Sequence, residues 1–134
     1  MPHLAQLFFK TAIIFLIIGI GMGLQMAISE NHEVLGAHAH ANLLGWVTMA
    51  LFGVYYALNP RKAEKRLAML QYWVYTTGVV IMVPSLYMML QGNSAMEPVV
   101  AVASLITFAG VLLFAVIVFS GKETAIAPTA QALN

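Results

Sequence analysis

The chain has 134 residues, of which 61% are hydrophobic and only 8% are charged, with a formal net charge of +1. A soluble domain carries roughly 25% charged residues, so this composition indicates a membrane protein. The near-neutral charge argues against nucleic acid as a partner, because phosphate binding needs a basic surface. The sequence has no cysteine, which excludes disulfides, zinc–thiolate sites, iron–sulfur clusters and covalent c-type haem attachment.

Four apolar runs follow one another along the chain, at about 4–29, 35–58, 67–90 and 98–120. A helix that spans a bilayer needs about 20 apolar residues, so each run is long enough to cross. Short polar segments separate the runs, and Pro98 suits the start of the last helix. We therefore predict an all-α fold in which residues 1–134 form one four-helix transmembrane bundle, with the lipid bilayer as its surroundings.

Basic residues predict how the bundle is oriented. Lys10, the four basic residues of segment 61–66 and Lys122 all fall on one side of a four-span chain. By the positive-inside rule, this predicts cytoplasmic N- and C-termini in an inner membrane. Tyr55 and Tyr56, at the inner end of the second run, are predicted to be interfacial anchors.

The first run contains closely spaced glycines, Gly19-x-Gly21-x-Gly23. A Gly-x-x-x-Gly pair lets two helices approach closely. We interpret the pair as packing within one chain.

Two histidines, His38 and His40, stand at the start of the second run. Imidazole is poorly suited to a lipid-facing surface and well suited to holding a metal or a haem iron. Residues two apart in an α-helix lie about 200° apart, so the two rings point to nearly opposite faces. They are therefore suited to two different sites, or to one site that two protomers build together.

Small residues surround the histidine pair, at positions 36, 37, 39, 41 and 45. A porphyrin is a flat plate that must lie close along a helix, and such residues leave the clearance that it needs. Asn42 is polar at membrane depth and is placed either to orient a ligand imidazole or to hydrogen bond between helices. The alternative without a cofactor is that each histidine is an interfacial residue that hydrogen bonds to water or to a lipid headgroup.

A longer pattern runs through the second span: His38-x-His40-x-x-x-Leu44-Gly45-Trp46-Val47, then Phe52-Gly53-x-Tyr55-Tyr56 and Pro60-Arg61. It resembles the tenth helix of the catalytic subunit of haem-copper oxidases, in particular the cbb-type oxidases and the nitric oxide reductases. The resemblance implies that His38 is axial ligand to a high-spin haem and His40 to a low-spin haem. It also implies that Gly45 and Trp46 belong to the cofactor site. The whole chain resembles small stand-alone subunit I-like proteins of that family.

The chain departs from the family in two respects. The catalytic subunit has about twelve spans arranged as three arcs of four, whereas this chain has the size of one arc. The family's copper site also needs three further histidines, and this sequence has no other histidine within a span. A haem–copper oxygen-reducing centre of the usual kind is therefore not expected. If one arc assembles as a homotrimer, each interface would collect His38 from one protomer and His40 from the next around one b-type haem.

Three functions follow from these observations. The first is a haem b protein for electron transfer or for the handling of oxygen or nitric oxide, with an unknown redox partner. The second is a copper- or zinc-binding or assembly protein, in which the two histidines and a weaker ligand, His32, lie on an outer loop. That alternative requires the helix to begin after His40. The third is a structural membrane subunit without a cofactor.

Overall fold

The structure is a computed structural model that describes residues 1–121, and within that range every regular element is helical. The long helices are α1 (His3–Ser29), α2 (Leu35–Leu58), α3 (Arg66–Leu90) and α4 (Glu97–Phe119). All four are long and apolar enough to cross a membrane. The prediction of an all-α fold with four helices that could span a membrane is therefore confirmed for residues 1–121. Lys122, one of the basic residues behind the predicted orientation, lies outside the described residues, as does the rest of segment 122–134.

Residues with special backbone conformations end the helices. Glu30 follows α1 with a φ of 54°, in the left-handed region, and Gly92 follows α3 with a φ of 102°. Asn59 ends α2, and Pro60 opens a one-turn helix, Pro60–Ala63, that leads towards α3. Proline suits a first helical position because its missing N–H would have no partner there.

The helices alternate in direction. α1 packs along all parts of α2, and α3 packs along α4 in the most extensive contact of the bundle. Two glycines set the distance between α3 and α4. A Cβ on Gly78 would lie 2.6 Å from the backbone nitrogen of Thr107, and one on Gly110 would lie 2.7 Å from the Cα of Tyr75.

An aromatic cluster joins all four helices in the half of the bundle where α1 begins. The ring of Phe52 on α2 lies 5.5 Å from that of Phe8 on α1, 5.0 Å from Tyr75 on α3 and 4.3 Å from Phe114 on α4. Tyr56 stacks on Phe8 at 5.7 Å. This cluster is the centre of the hydrophobic core, and the histidine pair lies towards the opposite end of α2.

Tyr56 is fully buried, and its hydroxyl donates to Oε1 of Gln71 at 3.1 Å. The prediction that it anchors the helix at the lipid interface is therefore wrong. Phe8 of α1, Gln71 of α3 and Phe114 of α4 surround Tyr56, so its hydroxyl does not reach headgroups. Tyr55 is half-buried and accepts a hydrogen bond from Lys62.

Lys62 is buried although it is charged, with 7% of its surface exposed. Its Nζ donates to Tyr55 Oη at 3.0 Å, to the carbonyl of Ile117 at 3.0 Å and to that of Val118 at 3.2 Å. These carbonyls belong to the last turn of α4, where the helix dipole is negative. Lys62 thus uses its three donors to tie the segment after α2 to the end of α4.

Candidate functional site

Both histidines lie inside a helix. α2 begins at Leu35, and the segment Leu35–His40 is regular α-helix. The copper- or zinc-binding alternative needs both side chains on a loop before the helix, and the structure does not have that arrangement.

Ala37 and Ala41 mark the side of α2 that faces the core, because both are fully buried. At about 100° per residue, His38 and His40 lie on the two flanks of that line. Both are half-buried. The two imidazoles therefore leave the helix on different sides, and one chain does not direct both of them to one point.

His38 lies against α1. Its Nδ1 is 2.7 Å from the carbonyl oxygen of Gly19. A carbonyl oxygen can only accept, so Nδ1 carries the proton and donates. In the neutral ring, the other nitrogen, Nε2, then keeps its lone pair.

His40 has the same arrangement with a different partner. Its Nδ1 is 2.7 Å from the carbonyl oxygen of Gly36, one turn earlier in α2. The proton is again on Nδ1, and Nε2 is again the basic nitrogen. Within residues 1–121, neither Nε2 atom has a hydrogen-bond partner.

The glycines of α1 make room for the polar side chains of α2. A Cβ on Gly19 would lie 2.5–2.7 Å from the amide group of Asn42, and one on Gly23 would lie 3.1 Å from Cε1 of His38. A Cβ on Gly21, between them, would meet nothing within 4 Å. The Gly-x-x-x-Gly pair therefore acts within the chain, as the sequence interpretation held, and it seats the histidine.

Asn42 lies next to His38 without sharing the ring's proton. Its Nδ2 donates to the backbone carbonyl of His38 at 2.9 Å and lies 3.4 Å from Nδ1 of the same residue. Because Nδ1 donates to Gly19, it cannot also accept from Asn42. Asn42 thus fills the space above Gly19 and satisfies a carbonyl of its own helix.

A π-helical segment, Ala41–Thr48, follows the histidines directly. Side chains satisfy two of its carbonyls: Thr48 Oγ1 donates to Leu43 at 2.7 Å, and Tyr75 Oη donates to Leu44 at 3.0 Å. The regular α-helix expected from the sequence contains no such segment. A signal was present, because Ala37, Ala41, Gly45 and Met49 repeat small or flexible residues at a spacing of four, and all four are buried. In a regular α-helix, each step of four residues moves the side chain about 40° around the helix axis. A turn with more residues reduces this rotation and keeps the four residues on one side.

Gly45 and Trp46 lie within the π-helical segment. Gly45 is buried, and a Cβ there would lie 2.6 Å from Cβ and Cδ1 of Phe15. The space beside Gly45 is thus filled by the Phe15 ring of α1. Trp46 is half-buried and packs against the core.

His32 lies in the exposed segment between α1 and α2. Within residues 1–121, no group of three or more His, Cys, Asp or Glu side chains is placed to hold a metal ion. His32 is therefore not gathered with His38 and His40 into such a group.

No protein-family model, no curated protein and no solved structure matches this chain.

The geometry defines what the site can do chemically. Each protomer presents two imidazoles, each with an Nδ1–H that donates to a backbone carbonyl and with an Nε2 that has no hydrogen-bond partner within residues 1–121. A neutral imidazole in this tautomer is a ligand for iron, copper or zinc. Because the two rings leave α2 on different sides, they can bind two separate centres or complete one centre with a second protomer.

Proposed function

We propose that the chain is a membrane haem b-binding protein for electron transfer, or for the handling of oxygen or nitric oxide, with His38 and His40 as axial ligands. The proposal rests on one observation, which is that the Nδ1–H of each ring donates to a backbone carbonyl. A histidine that binds a metal nearly always donates its other ring N–H to a carbonyl, carboxylate or water, which fixes the ring and raises its basicity. Both histidines make this contact at 2.7 Å, with Gly19 and Gly36 respectively.

The residues around the pair fit such a cofactor in part. His38 and His40 are half-buried rather than enclosed. Gly23 leaves the His38 ring free of a neighbouring Cβ. Gly45, by contrast, is covered by Phe15, so the clearance expected there is used for packing within the chain. A haem between two imidazoles supplies one-electron redox chemistry and leaves no position open for a substrate.

The proposal includes a homotrimer. The placement of the two rings on different flanks of α2 supports a centre shared between protomers, with His38 from one and His40 from the next. The resemblance of α2 to the tenth helix of cbb-type oxidases adds the threefold arrangement, since three chains would supply three arcs. If each ring instead binds its own haem, each iron keeps an open position, and chemistry with oxygen or nitric oxide follows.

The proposed location is the inner membrane, with both termini in the cytoplasm. The basic residues Lys10, Arg61, Lys65 and Arg66 support this orientation, because the helix directions of the structure bring them to one end of the bundle. The histidine pair then lies towards the outer face.

The decisive experiment is the visible absorption spectrum of the detergent-purified protein, oxidised and then reduced with dithionite. His38→Ala and His40→Ala are the test variants, and His3→Ala, an exposed histidine at the other end of the bundle, is the matched control. A shared bis-histidine centre gives a sharp reduced α-band that both test variants lose and the control keeps. A spectrum that shifts with carbon monoxide would indicate five-coordinate iron and gas chemistry instead.

Two outcomes would contradict the haem proposal. Wild-type protein with no Soret band, although haem was supplied during expression, and with bound copper or zinc would indicate the metal-binding alternative. Protein with neither haem nor metal would indicate a structural subunit.

A further inference from the structure

A groove opens at the end of the bundle where α1 and α3 begin, with a volume of about 690 Å³. Leu4 and Met69 contribute apolar side chains to it, and His3, Glu64, Lys65 and Arg66 contribute polar ones. Lys65 and Arg66 are exposed, and within residues 1–121 neither has an ion pair. The groove thus combines two cations with an apolar wall.

Backbone donors add to the positive field of the groove. Lys65 precedes α3 in an extended conformation and makes no side-chain cap hydrogen bond. The amides of Arg66 and Leu67 have no acceptor within the described residues, whereas those of Ala68 and Met69 bond to the carbonyl of Lys65. These free N–H groups lie at the positive end of the α3 dipole, beside the two cationic side chains.

The position of the groove places it at the level of lipid headgroups. It lies where two membrane-spanning helices begin, at His3 and at Arg66. Trp73 is seven residues beyond Arg66, on nearly the same side of α3, and 59% of its surface is exposed. Tryptophan is enriched at membrane–water interfaces, so this side of α3 is suited to face lipid.

We propose that the groove binds the headgroup of an anionic phospholipid, with the phosphate held by Lys65, Arg66 and the free amides of α3. The acyl chains then lie along the apolar residues of α1 and α3. Basic pockets between helix ends are suited to such headgroups. Glu64 also lines the groove, and its carboxylate opposes the anion. The proposal does not depend on haem binding.

The test measures the thermal unfolding midpoint of the full chain in detergent during titration with phosphatidylglycerol or phosphatidylcholine, and derives an apparent affinity for each lipid. We expect phosphatidylglycerol to raise the midpoint at far lower concentration than phosphatidylcholine, and high salt to reduce the difference. Lys65→Gln with Arg66→Gln removes both cations, and each loss weakens the apparent affinity roughly fivefold. Glu64→Gln is expected to change it in the opposite direction. Lys10→Gln, an exposed lysine that does not line the groove, is the control and leaves it unchanged.

Three results would overturn the proposal. The first is an equal response to the two lipids, and the second is an undiminished response of the double variant. The third is an equal rise of the midpoint with inorganic phosphate alone, which would indicate a soluble phosphate compound as the ligand. If the double variant fails to fold, Glu64→Gln tests the proposal instead. A stronger apparent affinity for phosphatidylglycerol supports the anion site, and an unchanged or weaker affinity contradicts it.

Discussion

At the scale of single residues, the candidate site depends on glycines of α1, whose lack of a side chain leaves space for the polar side chains of α2. His38 and Asn42 reach the backbone of α1 only because Gly19 and Gly23 have no side chains. The short contact between His38 Nδ1 and the Gly19 carbonyl then selects the ring tautomer. Alanine at position 19 would force the Asn42 amide to shift, and alanine at position 23 would press on the His38 ring.

Gly19→Ala is expected to destabilise the protein, because its Cβ would overlap the Asn42 amide. That amide must then rotate away from its place 3.4 Å from His38 Nδ1, which removes a neighbour of the histidine ring. Overpacking of this kind costs about 1–3 kcal/mol of unfolding free energy. The measurement is the thermal unfolding midpoint together with the amount of haem retained after purification. Gly21→Ala is the matched control, because the added methyl group meets nothing within 4 Å. Equal effects of the two variants would show that the α1–α2 contact does not position the histidine.

At the scale of helices and their ends, two features hold the bundle together. One is the close approach of α3 and α4 at Gly78 and Gly110. The other is the bond network of Lys62 with the last carbonyls of α4. Both connect α4 to the rest of the protein, and α4 carries neither histidine.

Gly110→Ala is expected to separate α3 from α4, because the new Cβ would lie 2.7 Å from the backbone of Tyr75, which cannot rotate away. We expect a loss of about 1–3 kcal/mol in unfolding free energy, measured by thermal unfolding in detergent. The visible spectrum of the remaining folded protein is expected to keep its haem bands, since the histidines lie on α2. A variant as stable as wild type would contradict the close crossing.

Lys62→Met is expected to lower the unfolding free energy by about 1.5–3 kcal/mol, the typical contribution of hydrogen bonds to a charged group. The substitution keeps the apolar length of the side chain and removes the ammonium group. The three hydrogen bonds that this group donates, to Tyr55 Oη and to the carbonyls of Ile117 and Val118, are then lost. Thermal unfolding in detergent without added anionic lipid provides the measurement. Lys10→Met changes an exposed lysine in the same way and should shift the midpoint by much less. If both variants behave alike, the buried network does not stabilise the bundle.

At the scale of the whole molecule, one chain presents two imidazoles on different sides of α2 and so does not complete a bis-histidine centre alone. A shared bis-histidine centre therefore depends on assembly. A shared centre needs both histidines, whereas two separate centres need one histidine each. Single variants can therefore distinguish the two arrangements.

Co-expression of the His38→Ala and His40→Ala chains is expected to restore part of the haem that each variant lacks alone. In a mixed trimer, one interface pairs an intact His38 with an intact His40 of its neighbour, whereas trimers of a single variant have no such interface. Haem per chain, measured after purification through two different affinity tags, provides the readout. The shared centre is contradicted if each single variant keeps about half of the wild-type haem, which would indicate separate haems.

Much of the fold was predictable from the sequence because hydrophobic length is a strong signal in a membrane protein. The apolar runs at about 4–29, 35–58 and 67–90 match α1, α2 and α3 within a residue. The placement of His38 and His40 on different sides of a helix also follows from helical geometry alone. The prediction for Tyr56 is wrong because aromatic residues near a helix end have two common roles, and only the packing of Phe8, Gln71 and Phe114 around it decides between them.

Composition and periodicity by themselves determined that the chain is helical, how many long apolar helices it has and that two imidazoles stand at one end of α2. These properties depend on the nature and spacing of neighbouring residues along one chain. The tertiary structure alone decided that the Gly19 carbonyl accepts a hydrogen bond from His38, that Phe15 fills the space at Gly45 and that Lys62 is buried against α4. Each of these contacts joins residues at least 19 positions apart, and the packing of separate helices, which no local pattern encodes, brings them together.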